Sequence, residues 1–340
     1  MARSQETTHV RATLFRASGE DWWRHGRESS RLRVAGILLQ ARVPVFRFTS
    51  AILVFISVAL AACERGAVRQ VPRDVPRDDF GTVLPLDGHP KRIVSLNPTT
   101  TELLFAIGAG DRVVGRSDYD VFPAEARNVP SAGVAIRPNV EAVLALHPDL
   151  VLLYASNDNR LAYDRLKQAG IATVALKIDS IETFARDTRL IGRMTGDSAR
   201  AAATVDSVEA TIARVRAATA RLAKPSVFIH AWERPIIAIG GGSFLSELLD
   251  VAGARNVYAD IPAPSATVTL EDVVRRNPDF VLASPVSAPA MHASAAWRTV
   301  PAVRQGHLLV YDTTLIGRPS VLLGAAAQSL ANLIHPGSVR

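Results

Sequence analysis

The chain has 340 residues, of which 48% are hydrophobic and 21% are charged. This composition is typical of a globular protein and excludes a disordered chain, and the length is sufficient for two domains. The net charge of +7 is unevenly distributed, because residues 1–62 carry +5 and the rest of the chain only +2. The main part of the chain is therefore nearly neutral, and we expect no nucleic-acid partner.

A short apolar run over residues 51–62 marks a leader sequence. Arg42 and Arg47 precede the run, which is shorter than the about 20 apolar residues of a membrane-spanning helix and fits a secretory signal peptide. Small residues precede Cys63, the one cysteine of the chain, and this arrangement resembles a bacterial lipoprotein processing site. We therefore expect residues 1–62 to be an N-terminal extension and lipoprotein signal peptide, and Cys63 to carry the lipid anchor. A plain signal peptide with a chance cysteine, or a membrane anchor, is the alternative.

Residues 63–90 are rich in proline and charge, which predicts a tether between the lipid and the fold. From residue 91 to residue 180, short apolar strands alternate with helices. This alternation is typical of a mainly parallel sheet and predicts an N-terminal lobe over residues 91–180. The predicted strands are 92–96, 113–115, 149–153 and 171–176, and the predicted helices are 101–107, 140–146 and 162–169.

The pattern changes in residues 181–224, which contain no proline and two glycines. Asp197 is a suitable N-cap for an alanine-rich helix that extends to about residue 223. At about 1.5 Å per residue, some 25 residues span roughly 38 Å, which suits a rod that joins two lobes. An ordinary surface helix is the alternative to this bridging segment.

The alternation of strands and helices returns in residues 225–338, which we predict to be a C-terminal lobe. This half also resembles the first. Residues 140–144 and 148–152 match residues 270–274 and 278–282 at a constant offset of 130. Such self-similarity predicts an α/β fold of two Rossmann-like lobes, each with a mainly parallel sheet, bridged by one long α-helix. A crevice between two lobes is a favoured place for a small-molecule site.

Several motifs together resemble one family of transport proteins. The residues that carry the resemblance are 92–98 with 101–102, 108–115, 139–141 with 148–151, 242–245 with Gly253 and 256–257, and 270–271 with 278–279. Over about residues 91–336 the chain resembles the substrate-binding proteins of ABC importers for cobalamin, haem and siderophores. The resemblance implies a non-enzymatic, exported protein at the periplasmic side or cell envelope. It also implies two lobes that close little on binding.

The resemblance further implies the partners of the protein. These are an ABC permease dimer with its ATPase, and a metal chelate that is transported rather than held as a cofactor: a corrinoid, haem or a ferric siderophore. We expect a monomer, and we expect a corrinoid as the first choice of ligand. One departure weakens that choice, because Ala135 and Ser265 stand where cobalamin binders of this type often carry an aromatic residue.

Glu141 and Glu271 are the candidate permease-docking residues. Each lies in the first turn of a predicted helix, one in each lobe, and acids at these positions form salt bridges with permease arginines in the family that the chain resembles. Two projecting carboxylates suit two symmetric arginine sites. Alternatively, each glutamate only favours a helix start that Asn139 or Thr269 caps.

Four residues are candidates for ligand binding. Tyr119 and Trp232 follow strands in the two lobes and suit stacking on a flat macrocycle, although either can also be a packed loop residue. His230 is a possible metal ligand, with a structural histidine as the more common alternative. Arg318 precedes the last helix and suits amide or carboxylate edges, or else a surface salt bridge. We interpret Trp297 as core packing.

Three other functions compete with chelate transport. A nucleotide-binding enzyme is disfavoured, because the glycines of residues 240–243 lack the spacing of phosphate-binding motifs. A zinc or manganese receptor needs three or four converging His and carboxylate ligands, and the sequence has no histidine-rich loop. A scaffold or sensor lipoprotein with the same fold is the third alternative.

Overall fold

The computed structural model describes residues 75–86 and 88–339. Cys63 and the predicted signal peptide lie outside the described residues, so the predicted leader and lipidation site stay predictions. None of the helices in the described part of the chain combines the length and the apolar character needed to cross a membrane.

The N-terminal lobe contains a sheet of four strands, all parallel, in the order β2-β1-β3-β4. Every residue of the central strand β1 is buried, as is almost all of β3, which explains the uninterrupted apolar runs of their sequences. The strands are β1 (Ile93–Leu96), β2 (Val113–Arg116), β3 (Leu150–Tyr154) and β4 (Ala172–Leu176). The helices are α1 (Pro98–Ala106), α2 (Val140–Leu144) and α3 (Arg160–Gln168), with 3-10 turns at Gly110–Arg112, Ala124–Asn128 and Asn157–Asn159.

Two helices, α4 (Ile181–Thr195) and α5 (Ser198–Thr219), follow the N-terminal lobe. At the start of α5, Asp197 forms an ion pair with Arg112 of the N-terminal lobe. At its end, the Thr219 hydroxyl donates a hydrogen bond of 2.9 Å to the Val251 carbonyl oxygen in the C-terminal lobe. The helix α5 therefore contacts both lobes, as the sequence predicts for a bridge.

The C-terminal lobe contains a sheet in the order β10-β9-β5-β6-β8, with β7 also paired to β5. The first half of β5 pairs in parallel with β7 and β9, whereas its last residues pair antiparallel with β6. The strands are β5 (Ser226–Glu233), β6 (Ile236–Ile239), β7 (Arg255–Asn256), β8 (Ser265–Thr267), β9 (Phe280–Ala283) and β10 (Leu308–Val310). The helices are α6 (Phe244–Val251), α7 (Leu270–Arg276), α8 (Ala288–Ala293), α9 (Pro301–Arg304), α10 (Thr313–Ile316) and α11 (Leu323–Ile334), with a 3-10 turn at Trp297–Thr299.

The largest hydrophobic core is shared by both lobes. It includes Leu152 of β3, Val208 of α5, Leu282 of β9 and Leu330 of α11. A smaller apolar cluster lies on the other side of each sheet, one per lobe. Because the main core passes through the bridging helices, the two lobes are packed as one unit.

The structure differs from the predicted tether over residues 75–86, which we call the N-terminal strap. The buried Asp78 carboxylate accepts hydrogen bonds from the Thr82 N–H at 2.7 Å and the Tyr163 hydroxyl at 2.7 Å. The Asp79 N–H donates to the Ala175 carbonyl oxygen in the edge strand β4. The prediction of a tether was therefore wrong for this segment, because buried hydrogen bonds and apolar contacts, with Leu84 in the main core and Phe80 against Tyr163, hold it on the fold.

Candidate ligand-binding site

A cleft of about 490 Å³ lies between the two lobes. In parallel sheets, ligand sites form beyond the carboxyl ends of the strands, and the N-terminal wall follows this rule. Asn97 follows β1, Tyr154 ends β3, and Asp179 lies three residues beyond β4. The complete lining is Asn97, Pro98, Thr99, Tyr154, Ile178 and Asp179 from the first lobe, and Gly242, Ser243, Phe244, Pro264, Gly317, Arg318 and Pro319 from the second.

The N-terminal wall of the cleft is built from hydrogen-bonded polar side chains. The Tyr154 hydroxyl lies 2.9 Å from each carboxylate oxygen of Asp179. Burial, followed by Asp179, holds the pKa of Tyr154 above its usual range, so this hydroxyl stays a donor. Asn97 caps α1 by accepting a hydrogen bond of 3.0 Å from the Thr99 N–H. This wall is therefore preorganised.

The C-terminal wall includes a tight turn of three glycines, residues 240–242. A Cβ atom on each of them would come within 2.1–2.3 Å of a backbone carbonyl oxygen in residues 259–263. Ser243 then caps α6 by accepting a hydrogen bond of 3.3 Å from the Leu245 N–H. Close approach of two backbone segments accounts for the glycines that suggested a phosphate-binding loop.

Arg318 lies in the cleft wall, and it pairs with Glu102 of the other lobe. The Arg318 guanidinium contacts one oxygen of the Glu102 carboxylate, and the Glu102 side chain is fully buried. Burial raises the pKa of Glu102, while Arg318 opposes that shift. The pair therefore joins the two lobes across the floor of the cleft.

A second buried carboxyl group, Asp120, belongs to the loop that follows β2. It accepts hydrogen bonds from the Thr101 hydroxyl at 2.6 Å and from the Ser117 N–H at 3.1 Å. Burial raises the pKa of Asp120, and the Ser117 and Thr101 hydrogen bonds oppose the shift. These contacts anchor the loop that carries Tyr119 to α1, whose first residues line the cleft.

Tyr119 and Trp232 are both strongly exposed, at 64% and 62% of their surface. Tyr119 follows the carboxyl end of β2, and Trp232 pairs with Ile237 in the hairpin of β5 and β6. Neither residue is among those that line the cleft. The structure thus leaves one large aromatic face in each lobe available to a ligand or a partner.

Other exposed apolar residues occur in both lobes, some of them near the carboxyl ends of further strands. The loops that contain Tyr119 and Val134 are joined by a hydrogen bond of 2.9 Å from the Asp118 N–H to the Gly133 carbonyl oxygen. In the second lobe, apolar residues are exposed just after β9 and at the end of β10. We call this set the apolar rim: Tyr119, Val121, Val134, Ile136, Trp232, Val286 and Val310.

His230 differs from the prediction. Its side chain is fully buried, with Nε2 at 3.0 Å from Glu233 Oε2 and the ring against the edge of Trp297. Burial lowers the pKa of His230, which favours the neutral ring. Trp232 was predicted to follow a strand, but β5 continues to Glu233, so both Trp232 and His230 lie inside the strand. This placement corresponds to the structural alternative rather than to a metal ligand in the cleft.

Glu141 and Glu271 occupy equivalent exposed positions in the first turns of α2 and α7. The caps of these helices come from other residues. Asn139 accepts from the Ala142 N–H and Thr269 from the Asp272 N–H, each at 3.2 Å. The backbone N–H of Glu271 itself, then the Thr269 hydroxyl, hold the pKa of Glu271 below its usual range. Both carboxylates therefore face solvent.

Tyr154, Asp179 and Phe244 line the cleft but were not among the predicted site residues. Glu102 was part of a family motif and was not predicted to have a role in the site. Tyr154 directly follows one predicted strand and Asp179 lies three residues beyond another, so the preference of ligand sites for the carboxyl ends of parallel strands was a signal for both. Arg318, the partner of Glu102, is 216 residues away in sequence, so no local sequence pattern predicts that pair.

Another depression, of about 550 Å³, lies at the amino ends of β5 and β9. Its Asp279 carboxylate accepts hydrogen bonds of 2.7 Å from the backbone N–H and the hydroxyl of Ser226, which ties the two strands together. We interpret this depression as structural, because its acid is used within the sheet. Among the described residues, no group of three or more His, Cys, Asp or Glu is placed to hold a metal ion.

Two α/β lobes, a bridging helix and a cleft between them define the class of two-lobed substrate-binding proteins. Residues 93–315 match the model of the periplasmic binding protein family, and the chain belongs to this family. This membership confirms the prediction of a non-enzymatic, exported binding component of an ABC importer.

Individual relatives agree with this assignment. A cobalamin-binding protein of Halobacterium salinarum is 30% identical over 317 residues, covering 85% of each chain. YvrC of Bacillus subtilis, described as an uncharacterized ABC transporter substrate-binding lipoprotein, is 31% identical over 74% of this chain and 82% of its own. The crystal structure of the periplasmic vitamin B12 binding protein BtuF of Vibrio cholerae has a TM-score of 0.65 and 22% identity, covering 72% of this chain and 97% of that one. The structural similarity confirms the predicted fold.

Proposed function

We propose that this protein is a lipid-anchored receptor that binds a corrinoid between its lobes and delivers it to an ABC permease. The observation that carries the proposal is the cleft between the lobes, together with one strongly exposed aromatic residue in each lobe, Tyr119 and Trp232. The similarity to a cobalamin-binding protein over most of both chains supports the choice of ligand.

A corrinoid is a large macrocycle with apolar faces and a periphery of amides. Its faces suit stacking on aromatic side chains. Its amides suit the polar groups of the cleft, since Asn97, Thr99 and Ser243 supply hydrogen-bonding groups along the two walls. The apolar rim offers further contact surface for a ligand that extends out of the cleft.

The test is a titration of residues 64–340 with cyanocobalamin, haemin and a ferric hydroxamate, followed by absorbance and tryptophan fluorescence. We expect cyanocobalamin to bind with a micromolar or lower dissociation constant, and Trp232→Ala and Tyr119→Ala each to weaken binding about tenfold, because stacking is lost. Leu222→Ala, a truncation of an exposed apolar residue at the end of the bridge, is the matched control. If only haemin or only the hydroxamate binds, that compound replaces the corrinoid as the assigned ligand. If only zinc binds, the protein is not a receptor for metal chelates.

We further propose that Glu141 and Glu271 dock onto the permease. Their equivalent positions in the two lobes suit two copies of one basic site on a symmetric dimer. The double variant Glu141→Arg/Glu271→Arg should lose ligand transport into permease-containing vesicles while it keeps its affinity for the ligand. Glu182→Arg, at an exposed position in α4, serves as the control. Normal transport by the double variant would exclude this docking mode.

The third element of the proposal is the lipid anchor at Cys63. Metabolic labelling with a radioactive fatty acid should mark the wild-type protein and leave Cys63→Ser unlabelled. The variant should also move from the membrane fraction to the soluble envelope fraction. An unlabelled wild-type protein would show that export does not involve lipidation.

A further inference from the structure

One ion pair in the cleft joins the two lobes. Glu102 belongs to α1, and Arg318 belongs to the segment between α10 and α11. Both Nε and Nη2 of Arg318 contact the same oxygen of Glu102, Oε1. Glu102 is fully buried, whereas Arg318 is partly exposed and lines the cleft. The guanidinium therefore lies between a buried anion and the space that a ligand fills.

The other charge of the cleft wall is also compensated. Within the lining, all of which belongs to the described part of the chain, Asp179 is the second charged side chain. Its carboxylate accepts hydrogen bonds from Tyr154 and lies 3.7 Å from Lys177 Nζ. Each of the two charges of the lining, Arg318 and Asp179, therefore has a partner of opposite charge.

A ligand that carries a carboxylate has two unfavourable options in such a cleft. It is either desolvated without a counter-charge, or it draws Arg318 away from Glu102. The second option leaves a buried carboxylate without a partner, since the remaining Glu102 oxygen, Oε2, already makes no hydrogen bond within the described residues. A neutral ligand avoids both options, because amide groups can bond to Arg318, Asn97 or Ser243 without displacing a charge.

We propose that Glu102 is a specificity-determining residue, which neutralises Arg318 and so makes the cleft select neutral chelates over anionic chelates of the same shape. This inference rests on the proposed function, because it concerns the ligand of the same cleft. It adds a defined charge preference and names the residue that produces it.

Pairs of ligands that differ in carboxylates but not in shape test the proposal. One pair is cyanocobalamin and its monocarboxylic acids, in which a peripheral amide becomes a carboxylate. The other pair is the dimethyl ester of haemin and haemin itself. Dissociation constants near neutral pH should show that the wild type binds the neutral member of an accepted pair about tenfold more tightly. Glu102→Gln should lose or reverse this preference, because glutamine keeps the shape of the side chain and leaves the charge of Arg318 unbalanced.

Two further variants control the experiment. Glu182→Gln, the same substitution at an exposed site, should leave the preference unchanged. Glu102→Gln/Arg318→Gln removes both charges, should bind both members of a pair with similar affinity, and replaces the single variant if that variant unfolds. Equal or tighter binding of the anionic member by the wild type would overturn the selectivity and leave the transport function standing. A wild type that binds neither member of either pair would contradict the transport function itself, and the selectivity with it.

Discussion

The two lobes share a repeated unit but build their walls of the cleft differently. In each lobe, a capped helix with an exposed glutamate leads to a buried strand, and the two units are 130 residues apart. The N-terminal sheet is parallel throughout, whereas β5 of the C-terminal sheet turns back into β6. Side chains such as Tyr154 and Asp179 form the first wall, while a glycine turn and Arg318 form much of the second.

This difference shows which parts of a duplicated fold are free to diverge. The repeated helix and strand are held by core packing and by capping hydrogen bonds, which act alike in both lobes. The ends of the strands face the cleft, where packing does not dictate the residue type. The repeated helix and strand are therefore similar in the two lobes, whereas the residues that line the cleft differ.

The largest expected effect tests whether the lobes are one cooperative unit. Leu152→Ala and Leu282→Ala truncate equivalent residues in β3 and β9, and both belong to the shared core. Each should lower the free energy of unfolding by about 2–5 kcal/mol, because it removes buried area and leaves a cavity. Denaturant unfolding should show a single transition in the wild type and in both variants. Two transitions, with each variant shifting only one of them, would show that the lobes are independent.

The next effect concerns an acid on the N-terminal side of the bridge. Asp187 of α4 is fully buried beside Arg186, and burial raises the pKa of Asp187 to about 6 from an ordinary 3.8. The folded state therefore takes up this proton more readily than the unfolded state. The stabilisation that results is complete below about pH 3.8 and is lost as the pH rises through about 6.

Comparison of Asp187→Asn with the wild type isolates this effect, because other buried acids such as Glu102 titrate in both proteins. Between about pH 4 and pH 7, the free energy of unfolding of the wild type should fall relative to the variant by up to about 3 kcal/mol. Denaturant unfolding across this range measures the difference. A difference that does not change with pH would mean that Asp187 keeps an ordinary pKa.

A smaller effect concerns the glycine turn in the C-terminal wall of the cleft. Gly241→Ala places a Cβ atom 2.3 Å from the Ala259 carbonyl oxygen, so the turn must shift. We expect a loss of about 1–3 kcal/mol in stability, measured by denaturant unfolding, together with weaker ligand binding. Gly88→Ala, where the nearest atom is 3.4 Å away, should be close to neutral. Equal behaviour of the two variants would show that the turn tolerates a side chain.

The smallest effect compares the repeated helix starts. Asn139→Ala and Thr269→Ala each remove one capping hydrogen bond of 3.2 Å. Each should cost about 1 kcal/mol in the free energy of unfolding, and the two losses should be similar because the geometry is. Thermal or denaturant unfolding of the two single variants makes the comparison. A loss of stability in only one of the two variants would show that the two helix starts are similar in geometry but not in their contribution to stability.

Much of the fold could be predicted because its determinants are local. The strands β1 and β3 are buried on both faces, and a continuous apolar run is a clear signal of that environment. The helix α5 was predictable from its alanine-rich sequence without proline. The end of β5 could not be predicted, because the continuous apolar run stops at Ile229 while the strand continues through His230, Trp232 and Glu233.

The candidate site could be predicted only in part. Arg318 lines the cleft and Glu141 and Glu271 are exposed, while their roles in ligand binding and docking stay predictions. The partner of Arg318 could not be predicted, because it comes from the other lobe and depends on how the two lobes pack. The N-terminal strap was also missed, because its few apolar residues, such as Leu84, form no regular pattern and the hydrogen bonds of Asp78 depend on residues far away in sequence.

The N-terminal strap limits the freedom of a receptor anchored at Cys63. Because the Asp78 side chain is hydrogen-bonded to Tyr163 of the N-terminal lobe, fourteen residues, 64–77, separate this contact from the proposed anchor point. A fully stretched chain spans about 3.3–3.6 Å per residue, so this segment reaches roughly 50 Å at most. That reach is close to the thickness of one bilayer. The receptor would then search a thin layer at the membrane surface, where its transporter is, and its encounters would be governed by lateral diffusion.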